Sequence, residues 1–326
     1  MPGFRNQFTE LMQKNLYKWF FESYDKFEPV YPKIFQVEPM SGAFEMMTVG
    51  VGLGDLSERN EGDDIVSDNI LEAQSVVIKA RTFSSSFSMS MEAVEDADPS
   101  KLDNLMRATA AGWGERVIST KEKFAAKMFN YGGYTSGHEV FNNSLTGVTP
   151  VVDASGDFIY TGKPFFTLTG NNHTAKDGST YYNSLGALAL SSANLQTAYS
   201  LMTVTNNRDE RGGIVSLQPD TLLIPGGLHF MAKTLLESEL VPGSANNDKN
   251  VVNGLITPIE WAYLTDADGW FLGKKQAGLK FYERKAPVID FYQDERNKKY
   301  YATIDARFGA GVYNWRYWLA SNISTS

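Results

Sequence analysis

Residues 98–133 read DPSKLDNLMRATAAGWGERVISTKEKFAAKMFNYGG, and this stretch predicts one long amphipathic helix. Asp98 is a favourable N-cap, and Pro99 suits the first helical position because the N–H that it lacks would be unpaired there. Gly132 and Gly133 supply the C-terminal exit. Between these ends apolar residues recur at helical spacing: Leu102, Leu105, Met106, Ala110, Trp113, Val117, Phe124 and Met128.

A helix of this length is a rod about 50 Å long, which suits a structural or assembly protein better than an active site. Only one face is apolar, so we expect the helix to lie across a sheet. Trp113 should pack against the sheet formed by the strands after Gly278. Glu122 is expected on the opposite, polar face, where its removal should change stability little. Gly112 and Gly114 mark either a kink or a close packing contact.

The composition indicates a folded protein and excludes several classes of function. The chain has 326 residues, which suggests two subdomains or one elaborated domain. Its formal net charge of −8 argues against a dedicated nucleic-acid binder, which usually carries a basic face. Cysteine is absent, so disulfides and thiolate metal sites are excluded. No apolar run is long enough to span a membrane and the N-terminus lacks a signal-peptide core, so we expect folding in a cytoplasm.

The N-terminal third predicts a helix, an arm and a hairpin. Residues 4–24 carry an apolar stripe at helical spacing, and residues 25–42, broken by three prolines, predict an extended arm that must lie against something. Residues 44–51 and 73–91 predict two strands. The segment between them, LGDLSERNEGDDIVSDN, is too long for a tight turn. A hairpin with a long charged tip is the simplest interpretation, and a flexible surface loop is the alternative.

The rest of the chain predicts an α+β fold, because strands and helices do not alternate regularly. Residues 134–185 are rich in loops. The predicted elements are short strands at 157–160 and 165–168, a helix at 190–204, a strand at 220–224, a helix from Leu228 to Ser238, and strands at Gly254–Tyr263, Gly278–Tyr282, Val288–Tyr292 and Tyr300–Phe308.

No residue pattern predicts catalysis, a cofactor or a metal site. The three histidines, His138, His173 and His229, lack metal-ligand spacing, and no serine lies in a nucleophile elbow. An acidic cluster in the hairpin tip is better interpreted as a solvated loop than as a weak divalent-ion site. Its members are Glu61, Asp63, Asp64 and Asp68. We therefore predict that the protein is not an enzyme and uses no cofactor.

The C-terminal run combines aromatic residues with two arginines. Such a run can bind single-stranded nucleic acid, but the overall acidity favours a sheet core with an aromatic subunit interface. Its members are Tyr300, Tyr301, Arg307, Phe308, Tyr313, Trp315, Arg316, Tyr317 and Trp318.

Four stretches of this chain, in this order, resemble the major capsid proteins of tailed bacteriophages, which have the Hong Kong ninety-seven type of shell fold. The resemblance is greatest to the head subunits of Mu-like phages. The first stretch is YPKIFQVEP with GDLSERNEGDDIVSD, and the second is the long helix over 98–132. The third is GNNHTAKDG with PDTLLIPGGLHFMAKTLLES. The fourth joins NNDKNVVNGLI, WAYLTDADGWFLG and LKFYERKAPVIDFYQDERNKKYYATIDARFGAG.

The resemblance implies an α+β phage major capsid fold with named parts. They are an N-terminal arm at 1–45, an extended hairpin loop at 46–94, a peripheral domain at 95–186 with its spine helix at 98–132, an axial domain at 187–277, and return strands of the peripheral domain at 278–326.

The resemblance also implies a function. The protein would be a structural head subunit that self-assembles as pentamers and hexamers into an icosahedral shell enclosing double-stranded DNA, without sequence-specific binding and without a membrane. It would be assembled in the host cytoplasm, with a separate scaffolding protein, a portal and a decoration protein as partners. The alternative is an encapsulin-like nanocompartment shell that encloses cargo enzymes. A hydrolase with scattered catalytic residues is a third, weaker hypothesis.

The hairpin would reach over a neighbouring subunit, so its charged residues are the candidate interface. A proline-broken arm and a polar hairpin are ordered only when neighbours bury them. The candidate interface residues are Glu58, Arg59, Glu61, Asp63, Asp64, Lys79 and Arg81.

Overall fold

The computed structural model describes residues 2–52, 56, 58–62, 64, 71–96, 98–132, 165–170, 172–175, 177–241 and 248–323. The helices are α1 (Pro2–Tyr24), α2 (Tyr31–Ile34), α3 (Met91–Asp96), α4 (Pro99–Asn130), α5 (Ser192–Ser200, continued by a π turn, Leu201–Thr205) and α6 (His229–Glu237). The strands are β1 (Gln36–Pro39), β2 (Phe44–Gly52), β3 (Leu71–Lys79), β4 (Arg81–Ser90), β5 (His173–Thr174), β6 (Thr180–Tyr181), β7 (Thr221–Ile224), β8 (Thr257–Glu260), β9 (Trp270–Gly273), β10 (Leu279–Asp294), β11 (Lys299–Val312) and β12 (Trp318–Ser321). Across the described ranges, no helix is both long and apolar enough to cross a membrane.

Helix α4 confirms the predicted long helix and lies across a sheet. It spans 32 residues, and its Trp113 is buried with Ile289 and Ile304 of the sheet. The Trp113 ring lies 5.4 Å from that of Phe87 on β4. Leu105 departs from the predicted stripe, because it is 55% exposed. The contact expected for Trp113 is thus confirmed.

The first sheet has four strands in the order β1-β10-β11-β4. Strands β10 and β11 form a long antiparallel pair, and β1 joins β10 in parallel. The two strands predicted at Gly278–Tyr282 and Val288–Tyr292 are a single strand, β10. An irregular register between Glu283 and Val288 separates its two halves. The alternation of apolar residues predicted both halves of the strand, but it did not predict that the strand continues through the bulge.

The second sheet has the order β12-β9-β7-β8 and its own core. Helices α5 and α6 pack on it around Leu195, Leu222, Leu236, Trp270 and Leu319. The last strand, β12, pairs with β9, so the segment 278–326 is shared between the two sheets.

Strands β2 and β3 form a separate two-stranded hairpin, with Phe44 opposite Lys79. The prediction of one strand over 73–91 is wrong at Ala80. Strand β3 ends at Lys79, and β4 begins at Arg81 and pairs with β11 of the first sheet. Ala80 is buried between the two strands, so the chain passes from hairpin to sheet at this residue.

Several predicted boundaries change. Residues 165–168 form a bend rather than a strand, and the strand predicted at Gly254–Tyr263 shortens to Thr257–Glu260. Strands β9 and β12 were not predicted. The arm over residues 25–42 contains the short helix α2 and the strand β1, so the prediction of an extended arm is only partly correct. The strand predicted at 157–160 lies outside the described residues.

Candidate subunit interface

The base of the β2–β3 hairpin is fixed on the first sheet by a small apolar cluster. Ile78 of β3 is fully buried there with Val76, Met40 and Tyr282. Gly309 of β11 permits the contact, because a Cβ at that position would come within 2.6 Å of the Lys79 carbonyl oxygen. The base of the hairpin therefore rests directly on the backbone of the sheet.

The other face of the hairpin base is apolar and exposed. Phe44 and Met46 of β2 are 57% and 60% exposed, and they share their face with Lys79, which lies opposite Phe44. At the tip, Leu56 is fully exposed. Large exposed apolar side chains grouped on one element are typical of surfaces that contact other proteins.

The structure divides the predicted interface residues into two sets. Glu58, Arg59, Glu61 and Asp64 are exposed residues of the tip, whereas Asp63 lies outside the described residues. At the other end of the hairpin, Lys79 is exposed and Arg81 is partly buried. Strand β3 spans nine residues, or about 30 Å of extended chain, so the two sets lie at opposite ends of the hairpin. The charged residues therefore do not form one cluster within a subunit.

Glu122 does not lie on a polar, solvated face, and this prediction is wrong. Its side chain is buried and accepts hydrogen bonds from the backbone N–H groups of Val30 and Tyr31 and from Nε1 of Trp261. The arm and the loop after β8 cover this side of α4. Periodicity in α4 alone could not reveal that cover, because the partners lie about 91 and 139 residues away in sequence.

A second carboxylate, partly exposed, also holds the arm. Glu283 of β10 accepts hydrogen bonds from Lys121 Nζ at 2.6 Å and from the Tyr31 hydroxyl at 3.0 Å. Lys121 also donates to the hydroxyl of Tyr24. Burial of Tyr31, followed by the negative charge of Glu283, raises the pKa of the Tyr31 hydroxyl above its ordinary value. Sequence reasoning missed this network, whose only signal was the Lys121–Glu122 pair within the long helix.

An ion pair at the edge of the first sheet fixes β1. Lys280 Nζ lies 2.9 Å from Glu38, and the strands are in register so that Gln36 is opposite Lys280. Burial alone would lower the pKa of Lys280, but the hydrogen bond to Glu38, together with the charge of Glu38 and the interaction with Tyr282, outweighs it and the pKa is raised. The arm is therefore bound to its own subunit through both ends of residues 30–39.

Three of the C-terminal aromatic residues, Phe308, Trp315 and Trp318, belong to the core, and the tyrosines of the run are partly buried. Trp315 and Trp318 are almost fully buried, and Arg316 stacks over Trp315 while donating to Glu210 at 2.6 Å. The prediction that this run contributes to the core is thus confirmed, and its role in a subunit interface stays a prediction. Buried indole rings are not available to stack on nucleic-acid bases.

The two histidines that the structure describes, His173 and His229, make structural contacts. His173 is buried, and its ring stacks on Trp315 at 4.2 Å. His229 lies 2.7 Å from Glu260 at the start of α6. His138 lies outside the described residues. Within the described part of the chain, no three His, Cys, Asp or Glu residues are grouped so as to hold a metal ion.

Comparisons with known proteins identify the family of this chain and the solved structures that it resembles. The sequence model of a family described as "Phage capsid protein" matches residues 73–321. No curated protein sequence matches the chain. Among solved structures, the capsid of the cyanophage P-SCSP1u is similar with 12% identity and a TM-score of 0.53, covering 92% of this chain and 89% of that one.

Two further solved structures have the same fold. The capsid of an empty GTA particle is 10% identical with a TM-score of 0.53, and 90% of this chain and 89% of that chain are covered. The structure of Gordonia phage Cozz is 11% identical with a TM-score of 0.50, and 92% and 87% are covered. Identities this low show a shared fold and nothing finer.

Proposed function

From the premise that this chain belongs to the phage capsid protein family, we propose that its copies assemble as pentamers and hexamers into a closed icosahedral shell around double-stranded DNA. The chain is a structural major capsid protein with the phage capsid fold, and thus a virion component present in many copies. The observation that carries the proposal is the family match over residues 73–321. A role in a shell calls for no catalysis by this chain.

A core cluster made almost entirely of residues 187–277 supports a division into domains, while a larger cluster joins the two sheets. We assign residues 1–45 to the arm, 46–94 to the hairpin loop and 95–186 to a peripheral domain built on the spine helix, 98–132. Residues 187–277 form the axial domain, which accounts for most of the second core. Residues 278–326 return to the peripheral domain, with β12 reaching into the second sheet.

The exposed hairpin supports a contact between subunits. Glu58, Glu61 and Asp64 at the tip carry negative charge, while Lys79 and Arg81 at the base carry positive charge. The tip of one subunit, which also contains Arg59 and Asp63, would therefore contact a part of the neighbouring subunit other than that neighbour's own tip. Each exposed ion pair contributes only about 0–1 kcal/mol, so these residues set the register of subunits more than their stability.

The charge of the chain supports a DNA container without sequence-specific binding. A net charge of −8 keeps the wall from binding the polymer during packaging. Partners that complete such a shell are a separate scaffolding protein, a portal and a decoration protein, with assembly in the host cytoplasm. The order of motifs along the chain supports a head subunit of the Mu-like type.

Electron microscopy and light scattering of the purified protein, alone and coexpressed with its genomic neighbours, test the proposal. Closed shells of one size that package DNA are the expected result. Closed shells filled with enzyme cargo would instead identify a nanocompartment. A monomer under every condition would contradict shell assembly altogether, because shell contacts should exceed the roughly 1,600 Å² of a standard interface.

Deletion of residues 58–66 tests the hairpin within the same proposal. The expected product is a folded subunit with the denaturation midpoint of the full chain, but with few closed shells. An unfolded deletion variant would show that the tip belongs to the subunit's own core.

A further inference from the structure

A cavity lies between the spine helix α4 and the edge strand β4. Its volume is about 120 Å³, and it opens to solvent. Its walls are apolar, formed mainly by Phe83, Trp113, Val117 and Ile304, and Arg116 lies at its rim. Apolar cavities of comparable size, about 150 Å³, bind a molecule as large as benzene. This cavity therefore fits a branched aliphatic side chain.

The cavity exists because a serine interrupts an apolar row. On the face of β4 that meets α4, the residues are Phe83, Ser85, Phe87 and Met89. Ser85 lies opposite the buried Ile304, yet it is itself exposed. The rings of both phenylalanines pack against aromatic rings of α4, and the Phe83 ring also stacks on Phe308 of β11. A large apolar residue in place of Ser85 would fill the cavity from within the subunit.

Strand β4 also presents backbone groups for pairing. It is the last strand of the four-stranded sheet, and among the described residues only β11 pairs with it, on one of its two sides. Edge strands of this kind accept a further extended segment, whose backbone pairs with the edge while its side chains enter adjacent pockets. The cavity and the strand edge thus offer one composite site for an extended segment with an apolar residue.

The tip of the hairpin has the matching chemistry. Leu56 is fully exposed, so it does not occupy the cavity of its own subunit. Exposed carboxylates follow it at Glu58, Glu61 and Asp64. They complement the exposed side chain of Arg116, which forms no ion pair within the described part of the chain.

We propose that Leu56 of a second copy of this chain inserts into the cavity beside Ser85, with the adjacent tip carboxylates facing Arg116. The inference rests on the proposed shell assembly and assigns the receiving site of the hairpin. In this arrangement Ser85 keeps the site open, because a larger residue would close it.

The absence of cysteine permits a direct test by crosslinking. One chain carries Leu56→Cys and another carries Ser85→Cys, and the two are coassembled and oxidised with diamide. Because each chain has a single thiol, a disulfide between the two must join different subunits. On a nonreducing gel, we expect both monomer bands to disappear and a band of the mixed dimer to replace them. Ser86→Cys, on the opposite face of β4, is the matched control and should not form the mixed dimer.

The outcomes separate this inference from shell assembly itself. Closed shells without a mixed dimer would overturn the receiving site while leaving the proposed function intact. A mixed dimer between Phe230→Cys and Ser85→Cys would assign the cavity to another exposed apolar residue, since Phe230 is 81% exposed. Absence of shells in the wild-type chain would instead contradict the proposed function.

Filling the cavity gives a second measurement that does not depend on cysteine variants. Ser85→Leu should raise the melting temperature of the unassembled subunit, because cavity filling stabilises, and it should abolish closed shells. Ser86→Leu should leave shell yield unchanged. Normal shells from Ser85→Leu would overturn the proposal, because the hairpin tip would then have no cavity to enter.

Discussion

The indole Nε1 of Trp261 donates a hydrogen bond to the carboxylate of Glu122, and this contact joins the C-terminal part of the spine helix to the loop after β8. The second oxygen of the same carboxylate accepts from the N–H groups of Val30 and Tyr31 at the start of α2. One buried side chain thus binds three segments that are far apart in sequence. A carboxylate can be buried in this way because three donors replace the water that it loses.

Glu122→Ala should destabilise the unassembled subunit by about 3 kcal/mol or more. The substitution leaves three buried or partly buried N–H donors unpaired, and each costs roughly 1–3 kcal/mol. Chemical denaturation measures the change in the free energy of unfolding. Lys123→Ala, at the exposed neighbouring position, should stay within about 0.5 kcal/mol. Equal, small effects of the two variants would mean that the arm does not depend on Glu122.

Sequence periodicity predicted α4 and the sheet that it crosses, but not the second layer on its other side. The spacing of Trp113 with Ala110 and Val117 contains the information for one buried face. Glu122 is buried by residues 30–31 and 261, and no sequence pattern within α4 indicates these contacts.

The hairpin shows the same limit of local reasoning. The sequence of residues 73–91 predicts a single strand. In the structure this segment breaks at the buried Ala80, because β3 pairs with β2 in the hairpin and β4 pairs with β11 in the first sheet. The charged tip was recognisable from composition. The cavity beside Ser85 was not, because it depends on which face of β4 meets α4.

Trp113→Ala should destabilise the unassembled subunit by about 3–5 kcal/mol, the usual range for truncating a buried aromatic residue. Trp113 is 7% exposed and packs with Ile289, Ile304 and the Phe87 ring. Stabilities of domains are only about 5–15 kcal/mol, so much of the variant should be insoluble or misassembled. Urea denaturation of the soluble fraction gives the value.

Leu105→Ala is the control for Trp113, because Leu105 lies on the same helix and is 55% exposed. Its free energy of unfolding should change by less than about 1 kcal/mol. A loss as large as that of Trp113→Ala would show that the exposed side of α4 is covered in the subunit.

The subunit should lose stability at alkaline pH partly through Tyr31. Burial and the charge of Glu283 raise the pKa of this hydroxyl above the ordinary value of 10.0. Because the folded-state pKa is the higher one, the contribution is fully present below about pH 10 and is lost as the pH rises toward the folded-state value.

Tyr31→Phe should therefore flatten the fall of the unfolding free energy above about pH 10, by at most about 1.4 kcal/mol per pH unit for one proton. Denaturation midpoints measured at a series of alkaline pH values provide the slope. Tyr292→Phe, which alters an exposed ring, is the matched control and should leave the slope unchanged. Parallel slopes for wild type and Tyr31→Phe would remove Tyr31 from the alkaline transition.

The two glycines of the spine helix should respond to alanine with opposite signs. A Cβ at Gly112 meets no atom within 4 Å, so Gly112→Ala should stabilise the subunit by up to about 1 kcal/mol through helix propensity. A Cβ at Gly114 would lie 2.9 Å from the backbone nitrogen of Tyr24 and 3.0 Å from the carbonyl oxygen of Phe20. Helix α1 would have to move, so Gly114→Ala should cost about 1–3 kcal/mol. Thermal and urea denaturation of both variants measure the signs, and two stabilising substitutions would show that α1 does not cross α4 at Gly114.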